Sequence, residues 1–324
     1  MTVTIKGNYN PLERAQTGIY SLDYALSSRG VLGIPLRIMT EIYGVTHVGK
    51  STLAYYLASR VNQKGEVVLC DFEGMDVDHL KRAMEVAGFD GTVNIIEPIN
   101  NKGKIRTDEE MLTELTDLMW DNNEITATIL DSIGAIQTSE QRTTDIGEGF
   151  AGKRAISVGE FAIKMKTALI GRKTPAVAFV TNHAHAIMGG GYGHQSAGGK
   201  KLQHLVAVKL YIYNSAKDNI KSGDDVLALV QGGKVEKLRF GGKGGEFKFV
   251  IAPNYGVRPN LCALQDCVDL GLAERGAVVK IGDKSFGRIS EVFQRDMDGD
   301  NDFFTPFYKA LKEHYESIKP TGME

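Results

Sequence analysis

The chain has 324 residues, 42% apolar and 24% charged, usage that fits a folded globular protein and excludes collagen-like or disordered polymers. A formal net charge of −2 excludes a globally basic surface, so any contact with nucleic acid must come from local patches. Cys70, Cys262 and Cys267 form no CxxC pair, which speaks against a disulfide framework or a zinc site and for core-filling thiols in a reducing compartment.

The opening MTVTIKGNYNPLERAQ lacks a charged-then-apolar signal pattern, and no apolar run approaches membrane-spanning length. These features predict a cytoplasmic protein with no membrane partner. Residues 1–16 read as a short polar arm broken by Pro11. From Thr17 onward strand and helix patterns alternate. Residues 37–43 predict a strand, 51–61 a helix, 66–71 a strand, and 78–87 an amphipathic helix closed by Gly88. Residues 108–122 predict a helix whose apolar face carries Met111, Leu112, Leu115, Leu118 and Met119, and 126–131 the next strand. A helix over 158–170 and strands over 176–182, 206–213 and 246–252 follow. The alternation predicts an α/β fold with a mainly parallel central sheet, helices on both faces, and ligands at the carboxyl ends of the strands.

Two glycine-rich stretches interrupt this pattern. Residues 189–199 are expected to lack a fixed shape without a ligand. Residues 232–245 are punctuated by Lys234, Lys237, Arg239 and Lys243. After Asn254 the composition shifts to short helices and a hairpin around 280–284, which predicts a small α+β C-terminal domain over 256–324 beside a core over 17–255.

Gly44, Val45, Thr46, His47, Val48, Gly49, Lys50 and Ser51 match GxxxxGK[ST], with Thr52 following. The glycines let backbone N–H groups turn inward around phosphate oxygens. Lys50 reaches the terminal phosphates, Ser51 offers its hydroxyl to Mg²⁺, and the helix start adds its positive end. Asp131 closes the strand TATILD, where a carboxylate either supports that metal or simply caps the strand. Glu73 lies in the acidic stretch 71–76, where it either activates the water attacking the terminal phosphoryl group or sits in a solvated loop. Asn182 and His183 end another strand, placed to sense the terminal phosphate and pass its presence to the glycine-rich loop that follows. His183 and His185 have no further ligands at metal-site spacing. Asp296, Asp298 and Asp300 start like a calcium loop, but Asn301 and Phe307 stand where glycine and glutamate are needed, so they read as a solvated acidic turn.

With those positions in view, the chain resembles the RecA recombinase family over nearly its whole length. Residues 17–26 (TGIYSLDYAL) resemble the family's opening segment, and 71–73, with acidic Asp76 soon after, resemble the segment carrying its catalytic glutamate. Leu130, Asp131 and Ser132 match its Walker B ending, and Thr181, Asn182 and His183 resemble its phosphate-sensing Asn-Gln, with His183 in place of glutamine. Gly198, Gly199 and Lys200 match the double glycine closing its second DNA-binding loop, and 268–271 with 280–287 resemble its bacterial-type C-terminal domain. Two departures stand out: only about sixteen residues precede the match, where bacterial members carry a long helix, and no acidic tail follows Pro320. A compact, divergent, phage-type member would fit.

The resemblance implies an ATP- and Mg²⁺-dependent DNA recombinase with Glu73, Lys50 and His183 as catalytic groups. ATP would be held by residues 44–52 together with Asp76 and Asn182. DNA loops would lie within 139–153 and 184–199, giving Lys153, Ile187, Met188, Tyr192, Gly198 and Gly199 as DNA contacts, with Arg154 directly after the first loop as a further one. Lys237, Arg239 and Lys243 occupy the region from which a neighbouring subunit reaches ATP. Implied partners are single- and double-stranded DNA, further copies of the chain in a helical filament, and loader or single-strand-binding proteins. Two other readings compete: a ring-forming motor of the replicative-helicase class, and a weakly hydrolysing DNA-binding mediator. Electron microscopy separates filament from ring, and an ATPase assay with and without DNA identifies the mediator.

Overall fold

The computed structural model describes residues 13–28, 30–99, 103–139, 152–186, 194–242 and 244–318. Strands at its centre are buried along their whole length, because a strand covered on both faces has no solvent side for polar residues. In chain order the first strands are β1 (Arg14–Ala15), β2 (Ile34–Pro35), β3 (Ile38–Gly44), β4 (Glu66–Asp71), β5 (Thr92–Ile96) and β6 (Ile125–Asp131). Next come β7 (Val177–Ala186), β8 (His194–Ser196), β9 (Val208–Asn214), β10 (Ile220–Ser222), β11 (Asp225–Leu238) and β12 (Gly245–Ala252). The last are β13 (Gly256–Val257), β14 (Glu274–Arg275), β15 (Val279–Ile281) and β16 (Lys284–Ser285). The helices are α1 (Tyr20–Ala25), α2 (Lys50–Val61), α3 (Val77–Glu85), α4 (Asp108–Asp121) and α5 (Lys153–Gly171). They continue with α6 (Gly199–Leu205), α7 (Pro259–Asp269), α8 (Ile289–Met297) and α9 (Asn301–Ser317).

The main sheet runs β13-β12-β11-β9-β3-β7-β6-β4-β5. From β9 to β5 every pairing is parallel, whereas β11, β12 and β13 extend the sheet antiparallel. The fold is therefore α/β with a mixed, mostly parallel sheet, as the alternation of patterns predicts. One face packs Ile42, Phe179 and Leu210 against Leu53 of α2, Leu80 of α3 and Leu261 of α7. The other packs Met39, Val68 and Val180 against Met111 of α4, Phe161 of α5 and Leu202 of α6. β14, β15 and β16 form a separate antiparallel sheet, and Phe304 and Phe307 of α9 are fully buried in the first core. All three cysteines are buried and unbridged. Among the described residues, no helix is long and apolar enough to cross a membrane.

Three expectations are corrected. The stretch 232–245 does not interrupt the pattern, because its first half lies within β11, a strand of 14 residues. A Cβ on Gly232 would stand 2.3 Å from the Tyr213 ring, and one on Gly233 2.2 Å from the Phe247 ring. Those glycines let aromatic rings lie flat on the strand rather than breaking it. Of the stretch 189–199, β8 pairs with β7 and the double glycine opens α6, while residues 187–193 lie outside the described residues. Asp296 is no solvated turn residue: it is 1% exposed, its carboxylate 2.7 Å from Nε of Arg258. Asp300 instead caps α9 through the Phe303 N–H.

Candidate active site

The loop between β3 and α2 carries the GxxxxGKS motif, and its backbone explains its residues. Gly49 sits at φ 76° as the N-cap of α2, and a Cβ there would stand 2.3 Å from Ile251 Cδ1. Gly44 passes so close to Ile212 that a Cβ would stand 2.2 Å from its carbonyl oxygen. His47 adopts φ 62°, in the left-handed region. Val45, Thr46 and His47 are exposed, whereas Val48 is 2% exposed. Lys50 folds back over the loop, its Nζ donating to the Val45 carbonyl at 2.7 Å. Burial pulls the Lys50 ammonium down from the ordinary lysine range, against the opposing pull of Glu73 and Asp131.

Sheet register brings the other groups to the same edge. Asp71 pairs with Asp131 across β4 and β6, and Gly44 with His183 across β3 and β7. Asp131 is 4% exposed and accepts from Thr181 Oγ1 at 2.5 Å, from the Tyr55 hydroxyl at 3.1 Å and from the Ser51 side chain. Burial raises its pKa, with Glu73 adding to the effect and the hydroxyl donors opposing it. Ser51 and Asp131 together make an all-oxygen donor set in a buried, electron-rich corner, which suits a hard cation such as Mg²⁺. Tyr55 was not singled out from the sequence, and Thr181 was named only as part of a resembling segment, not as a partner of Asp131. A tyrosine one helical turn after Ser51 was the available signal.

Asp71 shapes the loop that holds Glu73. Its carboxylate accepts from the N–H groups of Glu73, Gly74 and Met75 at 3.0, 3.1 and 2.7 Å. Glu73 then reaches the Ser132 hydroxyl, and its Oε1 lies 3.0 Å from His183 Nε2. Burial pushes the Glu73 carboxyl up, but Ser132, His183 and the Lys50 charge outweigh it and hold it below the usual range.

Asn182 is fully buried. Its amide donates to Glu41 Oε1 at 2.9 Å and to the Ala197 carbonyl at 2.8 Å, while its Oδ1 accepts from the His183 N–H. Glu41, in the strand segment that leads into the GxxxxGKS loop, is fully buried beneath it with Lys209 at 3.8 Å. Asn182 thus touches β3, the strand that feeds the GxxxxGKS loop, and the segment that closes the glycine-rich stretch 189–199.

Thr52 lies on α2 with its hydroxyl 2.9 Å from His79 Nε2, and Asp76 caps α3 by accepting from Asp78 N–H. Lys153 and Arg154 open α5, Arg154 donating to the Gly134 carbonyl at 2.9 Å. Gly198 and Gly199 have positive φ, and Cβ atoms there would stand 2.7 Å from Leu202 and 2.8 Å from Ala155. Gly199 therefore lets α6 close against α5, and Gly198 leaves room for Leu202 of α6 itself. Lys237 Nζ donates to the Gln203 carbonyl at 2.6 Å and Arg239 to that of His204, so within one protomer both cap the end of α6. Ile187, Met188, Tyr192 and Lys243 lie outside the described residues.

A family model described as the RecA N-terminal domain matches residues 3–241. Protein RecA of Chloroherpeton thalassium is 25% identical over 312 residues, covering 94% of this chain and 82% of that one. Protein RecA of Cereibacter sphaeroides is 28% identical over 273 residues, 84% of this chain and 74% of that one. Protein RecA of Deinococcus radiodurans is 26% identical over 284 residues, 85% and 72% of the two chains. A phosphate loop, strand-end carboxylates and a family match spanning well over half of the sequence lead to one assignment: the chain belongs to the RecA family.

Proposed function

We propose that this protein is an ATP-driven DNA recombinase that assembles on single-stranded DNA and pairs it with a homologous duplex. The observation that carries the reading is the Glu73–His183 contact at 3.0 Å, which joins the water-activating candidate to the strand running into the second loop. Residues 44–52 bind the triphosphate of ATP, with Lys50 leaving the Val45 carbonyl for the terminal phosphates. Ser51 and Asp131 hold Mg²⁺, which when bound neutralises phosphate charge. Asp76 and Asn182 complete the nucleotide contacts. Glu73, held ionised, orients the attacking water and accepts its proton.

Asn182 and His183 face that reaction and continue through Ala197 toward Gly198 and Gly199. A phosphate that draws His183 away from Glu73 therefore alters the support of the second loop, where Ile187, Met188 and Tyr192 stack on bases. Lys153 and Arg154 add cationic DNA contacts beside the first loop. In the assembled filament Lys237 and Arg239 exchange their contacts within the protomer for a neighbour's ATP, which Lys243 also reaches. The organisation that follows is an arm over 1–16, an ATPase core over 17–255 and a small C-terminal domain over 256–324.

The test is a strand-exchange assay with ATP and with a slowly hydrolysed analogue, run beside electron microscopy of the DNA complex. Homologous pairing in both nucleotides, with turnover of product only in ATP, is expected on helical polymers. Strand exchange by Lys50→Ala at the native rate, or closed rings in place of helices, overturns the reading.

A further inference from the structure

A cavity of about 500 Å³ opens between α1, β12, α7 and the end of α9, and no residue of the nucleotide site lines it. Its walls are aromatic, formed by Tyr24, Tyr213, Phe247 and Tyr315, with the Tyr24 and Tyr315 rings 4.6 Å apart. Asp266 also lines it although it is only 2% exposed. Oδ2 of Asp266 accepts from the Ser21 N–H at 3.0 Å, and no lysine or arginine among the described residues pairs with this carboxylate. Lys248, the one lysine in the lining, is already held between Asp218 at 2.9 Å and Asp269 at 2.8 Å. The cavity thus combines apolar aromatic faces with a buried carboxyl group that has no cationic partner among the described residues.

We propose that this cavity binds a primary ammonium group carried on a short alkyl stem, with Asp266 as its ionic partner. Ring faces attract a cation through their quadrupoles, and an alkyl stem matches the apolar walls. Anionic ligands are disfavoured by Asp266 and Asp269, and a neutral apolar ligand leaves Asp266 without a charge partner. Burial, then repulsion from Asp269 and Asp23, pushes the Asp266 carboxyl up to about 7, and an ammonium supplies the missing opposite charge. The inference is independent of the recombinase reading.

Isothermal titration calorimetry on the full chain, without DNA or nucleotide, tests it with three probes. These are cadaverine, the methylamide of acetylated lysine, and the neutral diol of the same length as cadaverine. Saturable one-to-one binding of either amine, with no binding of the diol, supports the proposal; the better of the two amines identifies a free amine or a lysyl side chain as the source. Asp266→Asn keeps an acceptor for Ser21 and is expected to weaken amine binding about tenfold or more. Asp269→Asn, at the rim, is expected to weaken it by about threefold, and carries the test if the first variant does not fold. Equal binding of amine and diol, absence of saturable binding, or native affinity in the variants overturns the proposal.

Discussion

Nε2 of His183 and Oε1 of Glu73 stand 3.0 Å apart, although 110 residues separate them in sequence. One belongs to the loop after β4, the other to β7, and β6 lies between those strands in the sheet. The Ser132 hydroxyl, directly after β6, also donates to Glu73. Two neighbouring strands, β6 and β7, thus direct polar groups at the carboxylate that follows β4, as expected at the carboxyl edge of a parallel sheet.

Glu73→Gln removes the proton acceptor but preserves the size and the acceptor oxygen. DNA-stimulated ATP turnover is expected to fall by about a hundredfold or more, with nucleotide affinity changed by less than about threefold. Steady-state kinetics beside equilibrium nucleotide titration measure both. Native turnover in this variant removes Glu73 from the catalytic assignment.

His183→Ala deletes one of the interactions that hold Glu73 below the usual carboxylate range. The Glu73 pKa then rises, so the acidic limb of the kcat/KM profile is expected to move to higher pH. His183→Gln retains a side-chain donor and should shift the limb less. Superimposable profiles for native and His183→Ala proteins dismiss the contact as functionally silent.

Gly49→Ala places a methyl group 2.3 Å from Ile251 Cδ1 on a backbone at φ 76°. Left-handed strain alone costs about 1–2 kcal/mol, and the overlap adds to it. The variant should melt earlier and bind ATP more weakly, read by calorimetry and nucleotide titration. A stable variant with native affinity shows that the loop relaxes.

Asp266 carries a stability cost at neutral pH. Its folded pKa is raised from 3.8 to about 7, while the unfolded chain ionises it normally, so its favourable contribution is present below 3.8 and lost as pH rises through about 7. That interval corresponds to about 4 kcal/mol at most. Asp23, raised to about 6, has the same sign. Asp266→Asn is expected to flatten the decline, so that the variant gains on the native protein between pH 4 and 8 in denaturant titrations. Parallel stability curves for the two proteins refute that assignment.

Much of the site was legible because its chemistry is local. GxxxxGKS needs only eight consecutive residues to define a turn, a helix start and a lysine. The apolar run ending in Asp131 marked the end of β6, and strand ends in a parallel sheet mark the ligand edge; the run ending in Asn182 did not, because β7 continues to Ala186. Glycine was the misleading letter: Gly232 and Gly233 read as breaks, yet they serve the rings of Tyr213 and Phe247 from neighbouring strands. Nothing within ten residues of either glycine announces those rings.

The sequence alone determined the α/β fold, the GxxxxGKS turn between a strand and a helix, and the end of β6 at Asp131, because these follow from hydrophobic period and local backbone chemistry. Only the tertiary structure decided that His183 touches Glu73, that Tyr55 and Thr181 bond Asp131, and that Glu41 lies beneath Asn182. Those pairings depend on strand order β3-β7-β6-β4. Strand order is set by how helices pack over the whole sheet, and packing is a property of the folded chain rather than of any short stretch of it.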